Sequence, residues 1–409
     1  MKRNFRDWIE AYLEFTSNTE PCEMYRRWCA ISCIAAVLQR KVWIRWEKKY
    51  YPNMYIVLVS PPGAGRKGTA MGPIKPFLRE IGIPMTANSV TGAQLIKSIK
   101  KAKSAVKFAG ETVITEHHSM TVFSEEFTVF LGYNQLDLMT YLIDWFDTPE
   151  GDWIRETATQ GQHTIENIWV NILGATTTDF MRSAMSAESA GGGLLSRIIF
   201  IYANKRGKIV SVPHLMKVGG KWIPAPDIYA SGDPLRMKLT NDLRTIHSLS
   251  GEFTISPEFL EVYVPWYNNL DSERSRFTGP LASFSERRQV HLLKLSIVMS
   301  ASRSNDKIIT DTDFHTAREY LAEAEAVMPK VFRGFGEADN AYIIQSIMTT
   351  IALKKTIHFG ELLGRHLSDV GSQEDLIKIL RTLMSIQPPF CSFDQKSLII
   401  TYLPEGDQQ

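Results

Sequence analysis

Residues 54–60 read MYIVLVS, an uninterrupted apolar run rich in β-branched side chains, and the chain turns at once into PPGAGRKGTA. A strand without a polar face must be buried on both sides, the condition of an inner strand in a parallel sheet covered by helices. Glycines directly after such a strand let the backbone curl so that successive N–H groups face one point, which suits an anion. A helix is expected next, through Pro76 to Glu80, and its amino end adds positive potential. This unit predicts an α/β architecture and marks its loop as a phosphate cradle.

Further apolar strand candidates at Thr112–Thr115, Thr121–Ser124, Trp169–Ala175 and Ile198–Ala203 alternate with helical segments. That alternation predicts a three-layer αβα sandwich with a mainly parallel sheet. The 409 residues accommodate two or three domains. Residues 1–50 read as a helical lead-in, with an amphipathic start (Trp8, Ile9, Tyr12, Leu13), a helix around Met24–Leu38 and a short strand near Val42–Trp46. Residues 51–234 form the core and end in a Gly- and Pro-containing connector, Lys205–Pro234. Helical periodicity dominates residues 235–335, most clearly at Ser285–Ala301 and, after a cap-like Thr310, at Asp311–Met328. Arg333–Glu337 looks like a hinge. Residues 338–409 then order helices at 340–353, 359–367 and 373–386 and a strand pair within 390–403, the order of a winged helix.

The loop supplies Gly63, Ala64, Gly65, Arg66, Lys67, Gly68 and Thr69 as nucleotide-binding candidates. The usual phosphate-loop spacing is G-x-x-x-x-G-K-[ST]. Here Ser60 holds the place of the first glycine, Arg66 stands between Gly65 and Lys67, and Gly68 precedes Thr69. Either Lys67 is the phosphate cation with Thr69 displaced by one, or Arg66 takes its place. Lysine is the usual cation there, which favours Lys67. The bland alternative is an ordinary Gly/Pro loop with a basic tip.

Hydrolysis needs a carboxylate near Mg²⁺ and another to activate water. MTVFSEEF at Met120–Phe127 ends an apolar strand in Glu125 and Glu126, where the carboxyl edge of a parallel sheet offers its ligand crevice. Glu125 is the candidate for Mg²⁺, together with the Thr69 hydroxyl, and Glu126 for general base. A solvated Glu-Glu at a strand end is the competing reading. Arg197, just before the strand IIFIYA, can project at a subunit edge and stabilise phosphate charge on a neighbour. Arg287–Arg288, opening the helix RRQVHLLKLS, is the second such candidate. A surface salt bridge and helix-end solvation are the alternatives.

A net charge of only +2 means that any nucleic-acid footprint has to be local. Lys97, Lys100, Lys101, Lys103 and Lys107 cluster on a helix and the loop after it, and Arg155 lies on a hairpin expected about Gln160–Gln162. Lys378 and Arg381 would be exposed on the last helix of the carboxyl-terminal segment. Cys22, Cys29, Cys33 and Cys391 come without neighbouring histidines, so small buried thiols in a reducing compartment are expected rather than zinc. MKRNFRDWIEAYLEF lacks an apolar h-region, and no run approaches the ~20 residues of a membrane span. The expected location is the cytoplasm of a bacterial or archaeal host cell, with no membrane partner.

With these residues in place, the chain resembles the AAA+ ATPases. LLSRIIF (194–200) is similar to the arginine-finger motif of minichromosome-maintenance helicases, and RRQVHLLKLS to their second-sensor helix, with Arg288 and Gln289 in register. Residues 20–330 resemble the AAA+ family of phage and mobile-element primase-helicases. The shared features are the phosphate loop after a helical lead-in, S-E-E, N-I-L-G-A-T and S-R-I. The resemblance implies an AAA+ P-loop core, a helical lid and a carboxyl-terminal winged helix. It implies a polar sensor at the tip of WVNILGATTTD, Thr177 first and Thr176 close behind. It further implies ATP and Mg²⁺ at intersubunit sites of a homo-oligomeric ring, a hexamer, acting on single-stranded or forked DNA in replication. Ser60, Arg66 and Glu125 depart from the family pattern and bear on hydrolysis more than on binding. A primase, polymerase or other replication partner would supply priming. The competing function is a nucleotide-dependent DNA-binding assembly module, an initiator or defence-complex subunit, with weak or no hydrolysis.

Overall fold

In the computed structural model, the run at 54–60 gives a strand, Tyr55–Ser60, buried at every position. The structure describes residues 3–86, 92–108, 110, 112–132, 136–157, 161–178, 181, 193–276, 279–332, 340–370, 372–394 and 396–404. The chain divides into two compact units, Met1–Arg333 and Gly334–Gln409. The expected hinge residues and the hairpin tip at Gln160 lie outside the described residues.

The first unit opens with α1 (Trp8–Phe15), α2 (Glu23–Leu38), β1 (Val42–Arg45), β2 (Lys49–Tyr50), β3 (Tyr55–Ser60), α3 (Lys67–Met71), α4 (Ile74–Ile81), α5 (Gly92–Lys101), β4 (Lys103–Lys107) and β5 (Ile114–Ser124). It continues with α6 (Phe127–Leu131), α7 (Leu136–Phe146), β6 (Asp152–Thr157), β7 (Gly161–Glu166), β8 (Ile168–Thr177), β9 (Ile198–Tyr202), β10 (Leu215–Val218) and β11 (Lys221–Pro224). Then come α8 (Pro234–His247), β12 (Gly251–Ile255), α9 (Pro257–Asn268), α10 (Arg288–Arg303), β13 (Ile308–Ile309) and α11 (Asp311–Val327).

The main sheet has the order β4-β5-β8-β3-β9. β5, β8, β3 and β9 run parallel, and β4 joins the edge antiparallel. Helices cover both faces. Tyr55 on β3 donates its hydroxyl to Leu142 O of α7, whereas Asn171 on β8 donates to Ser32 of α2. Tyr55 pairs with Ile172, the neighbour of Asn171, and adjacent strand residues face opposite sides. The core is thus α/β with a mostly parallel sheet, as the apolar runs predict.

Several boundaries differ from expectation for physical reasons. Ile114–Thr115, of the expected Thr112–Thr115, and Thr121–Ser124 belong to one strand, β5, whose polar middle is partly paired: His117 Nδ1 meets Ser119 Oγ and His118 Nδ1 meets Glu166 O, both at 2.8 Å. The lysine-rich stretch after α5 is not a loop but β4, whose alternating exposure fits an edge strand; edge lysines discourage further pairing. The helix expected after the glycine-rich loop is two pieces, α3 and α4, parted at Gly72–Pro73, since proline cannot donate to continue α3. The helix expected from Ser285 starts at Arg288, after a 3₁₀ stretch Gly279–Arg287. α11 begins at a capping box between Thr310 and Asp313.

The lead-in and the later helices are interleaved. Asp242 on α8 accepts the amides of Asn4 and Phe5 at 2.8 and 2.9 Å, and Trp8 Nε1 donates to Leu239 O. A second sheet, β13-β12-β1-β2, takes strands from both regions.

The second unit contains α12 (Asn340–Lys354), β14 (Thr356–His358), α13 (Phe359–Val370), α14 (Gln373–Ser385), β15 (Cys391–Asp394) and β16 (Ile399–Tyr402). Its sheet, β14-β16-β15, is antiparallel. The strand β14 between the first two helices is an addition to the pattern read from sequence. Ile347, Leu362, Leu376, Leu380 and Ile400 anchor an apolar core of its own. No described helix is long and apolar enough to cross a membrane.

Candidate nucleotide site

The loop after β3 folds back on the strand it leaves. A Cβ at Gly65 would lie 2.8 Å from Ser60 Cβ and 3.0 Å from Tyr25 Cε2, so only glycine allows this approach. Tyr25 is itself fixed, donating to Val59 O at 2.6 Å and accepting from Ala203 N.

The two loop cations go different ways. Arg66 has φ 56° and ψ 39°, left-handed, which costs a non-glycine residue about 1 kcal/mol. Its Nε donates to Glu20 Oε2 at 2.7 Å, and Arg206 takes the other oxygen at 2.8 Å. Desolvation pushes the Glu20 carboxyl up, but the hydrogen bond from Arg66 and the neighbouring charges outweigh it and hold the group below its usual range. Lys67 instead lies along the loop, donating to Ser60 Oγ at 2.7 Å. Desolvation lowers its pKa, opposed by the charge of Glu126. Ser60, a departure from the usual spacing, thus holds the Lys67 ammonium at the end of β3. Thr69 and Gly68 are exposed on α3.

The acidic pair follows β5. Glu126 occupies the N-cap position of α6. Glu125 Oε1 accepts from Lys75 at 2.9 Å, and its other oxygen lies 3.5 Å from where a Gly68 Cβ would stand. Lys75, which the loop pattern does not single out, sits on α4 and also lies 4.6 Å over the Phe123 ring.

β8 separates these two groups. Its register sets Thr177 beside Ser60 and Gly174 beside Ser124. Thr177 is half-buried, whereas Thr176 is buried and meets Thr128 Oγ1 at 3.2 Å. α6 packs directly on β8, because a Cβ at Gly174 would come within 3.0 Å of the Phe127 ring. Next to Thr69 a cavity of about 460 Å³ is lined by Phe15, Thr19, Glu20, His214 and Tyr229. Sequence reasoning passed over these residues because three separate segments supply them.

The arginines are elsewhere. Arg197 precedes Ile198, the partner of Tyr55, so it sits at the other end of the sheet, roughly 17 Å of strand from Ser60. It does not project: it is 7% exposed, and Nη2 meets Asp147 Oδ2 at 2.6 Å. Arg287 meets the second Asp147 oxygen at 2.9 Å. Desolvation raises the Asp147 carboxyl, but the Arg197 hydrogen bond and charge, with Arg287 and Lys48, hold it below the usual range. Arg288 is also buried, bound through both ends of its guanidinium to Glu325 (2.8 and 3.0 Å) and to Glu273 (2.8 Å).

Lys97, Lys100 and Lys101 are exposed on α5, which buries Leu95, Ile96 and Ile99. Lys107 is exposed on β4, and Lys103 beside it pairs with Glu116 at 2.7 Å. Arg155 is drawn back toward α7, 3.4 Å from Asp137 and 4.9 Å over the Tyr141 ring. In the second unit Arg381 is exposed on α14, and Lys378 pairs with Asp375 at 2.8 Å. Cys29 and Cys33 are buried on α2, where desolvation raises both thiols. Among the described residues no cluster of His, Cys, Asp and Glu could hold a metal ion. In comparisons with known proteins, no family model matches the chain and no curated protein matches it significantly.

Proposed function

We propose that this chain is an ATP-driven DNA translocase or helicase of the AAA+ type, hydrolysing ATP at sites shared between subunits of a ring. The observation that carries this reading is the juxtaposition at the carboxyl edge of the main sheet. Lys67 lies on Ser60 at the end of β3, Thr177 stands beside it on β8, and Glu125–Glu126 follow β5 one strand further on. In this reading Thr177 would be the polar sensor between the phosphate and the acidic pair.

ATP is the substrate in this reading. Its phosphates would meet the loop amides and Lys67, and the cavity beside Thr69 has room for a base between Phe15 and Tyr229. The donors on offer to Mg²⁺ are hard oxygens, the Thr69 hydroxyl and, through water, Glu125, which suits that ion. Bound Mg²⁺ would neutralise phosphate charge. Glu126 would accept the proton of the attacking water. Thr177 would orient that water or the terminal phosphate. Arg197 is too far from its own Ser60 to act there, so it would serve a neighbour's site after leaving Asp147. The exposed lysines of α5 and β4 would contact the DNA backbone, and the second unit, read as a winged helix, would add a further contact. The location follows as the cytoplasm of a bacterial or archaeal host.

Lys67→Ala and Glu126→Gln are expected each to abolish DNA-stimulated ATP hydrolysis. Unchanged turnover in both removes the site assignment.

The pairing of Glu125 with Lys75 and the burial of Arg197 and Arg288 favour a second reading, a nucleotide-dependent DNA-binding assembly module with little hydrolysis. It predicts ATP binding and oligomerisation without strand separation. A forked-duplex unwinding assay separates the two, and robust unwinding eliminates the second.

A further inference from the structure

At the amino ends of β5 and β8, the end of the sheet away from the phosphate loop, a cavity of about 350 Å³ is lined by Trp43, Arg45, Lys49, Tyr51, Phe108 and His117. Its aromatic wall is built from three separate segments. Trp43 stands edge-on to Phe108 with centroids 4.9 Å apart and lies 6.2 Å from Tyr51. Lys49 sits 5.2 Å over the Trp43 ring, and its ion pair with Glu150 is a loose 3.4 Å. Arg45 is mostly exposed, with a 3.3 Å contact to Glu252.

Two polar atoms here have no partner among the described residues. His117 is 1% exposed, its Nδ1 is engaged by Ser119 Oγ, and its Nε2 makes no hydrogen bond. Trp43 Nε1 is buried and likewise unpartnered. Burial pushes the His117 pKa down to about 4, so the ring is neutral and offers a hydrogen bond rather than a charge. Buried polar groups in folded proteins are almost always satisfied by protein or ordered water, so these two atoms are open to a partner from outside the chain, a water or a ligand. Arg40, 4.5 Å over the Tyr51 ring, and Glu150 also line the cavity, so flat rings, two ring nitrogens and three cations against one carboxylate suit a ligand that is planar, hydrogen-bonding and anionic.

We propose that this cavity binds one nucleotide unit, the base against Trp43, Tyr51 and Phe108 with polar contacts to His117 Nε2 and Trp43 Nε1, and the phosphate on Lys49 and Arg45. The unit has two sources, a single-stranded nucleic acid or a free mononucleotide. Gly151 and Asn167, which flank the β6–β7 hairpin, also line the cavity, so a strand following that hairpin would reach it. The site is separate from the phosphate loop and requires no hydrolysis.

The test uses the full chain carrying Lys67→Ala, so that binding at the phosphate loop is weakened and ATPase activity is irrelevant. It is irradiated with a thymidine oligonucleotide bearing one 5-iododeoxyuridine and, separately, with free 5-iododeoxyuridine monophosphate; adducts are mapped by mass spectrometry. Adducts are expected at Trp43, Tyr51 or Phe108. Adducts from the oligonucleotide alone assign the site to a strand, and adducts from the monomer as well assign it to a free nucleotide. The double variant Arg45→Glu/Lys49→Glu, with a circular-dichroism melt as the check on folding, should cut the yield at least about fivefold. Adducts from neither probe at these three residues overturn the proposal, whatever the ATPase assay gives. So does a yield that the folded double variant leaves unchanged.

Discussion

Asp147 Oδ2 holds Arg197 Nη2 at 2.6 Å. This pair holds the arginine against its own chain, and Arg287 donates to the other carboxylate oxygen at 2.9 Å. Asp147→Asn preserves shape and removes the charge that two arginines share. Breaking a buried pair costs about 3–5 kcal/mol; with Asp147 27% exposed, a loss of about 2 kcal/mol is expected in urea denaturation. The carboxyl is depressed from 3.8, so its contribution is full above that pH and fades as pH falls further. Parent and variant curves should therefore converge in acid. Equal midpoints at neutral pH would mean that the pair does not place Arg197.

Arg66 and Lys67 should separate cleanly by substitution. The Arg66 side chain is committed to Glu20, and Lys67 to the loop interior at Ser60. Arg66→Ala is expected to keep ATP affinity within about threefold, while Lys67→Ala loses at least about tenfold, the scale of one charge-assisted hydrogen bond. Titration with a fluorescent ATP analogue reads both. The reverse ranking would make Arg66 the phosphate cation.

The first unit should weaken in mild acid. His291 is fully buried between the Phe146 and Phe284 rings, with its pKa pushed from 6.5 to about 3 by desolvation; His117 is pushed to about 4 by the same cause. Below pH 6.5 the unfolded chain takes up protons that the folded chain refuses. Stability therefore falls as pH drops from 6.5 toward these lower values, with a slope for the two together that rises from about 1.4 kcal/mol per pH unit at pH 6.5 to about 2.5 near pH 5. His291→Gln retains an amide donor for Ser196 O but does not titrate. Denaturant midpoints at pH 7, 6 and 5 should show a shallower slope in that variant; a parallel profile refutes the assignment.

What the sequence disclosed was whatever lies in one continuous stretch with a clear period. The fully buried β3, the helix α2 and the helices of the second unit were legible because apolar spacing alone sets them. β4 was not, since Lys103, Ala105 and Lys107 carry no apolar alternation and owe their conformation to pairing with β5. The same limit applies at the site. Ser60, Lys67 and the Glu125–Glu126 pair were visible as local patterns. Lys75 on Glu125, Glu20 on Arg66 and Asp147 on Arg197 are pairs 50, 46 and 50 residues apart. No periodicity reports such contacts. Whether Arg197 projects or folds inward depends on an aspartate at the end of α7, and neither its own motif nor its neighbours in sequence encode that.

The position of β8 has a consequence for how the site comes into being. β3 and β5 do not pair with each other; each pairs with β8, which is made after both. A nascent chain ending before Ile168 would already carry the whole glycine-rich loop and both glutamates, yet would lack the strand that spaces them. The two loops are therefore spaced only once β8 has been made, and His214 and Tyr229, which line the adjoining cavity, come later still.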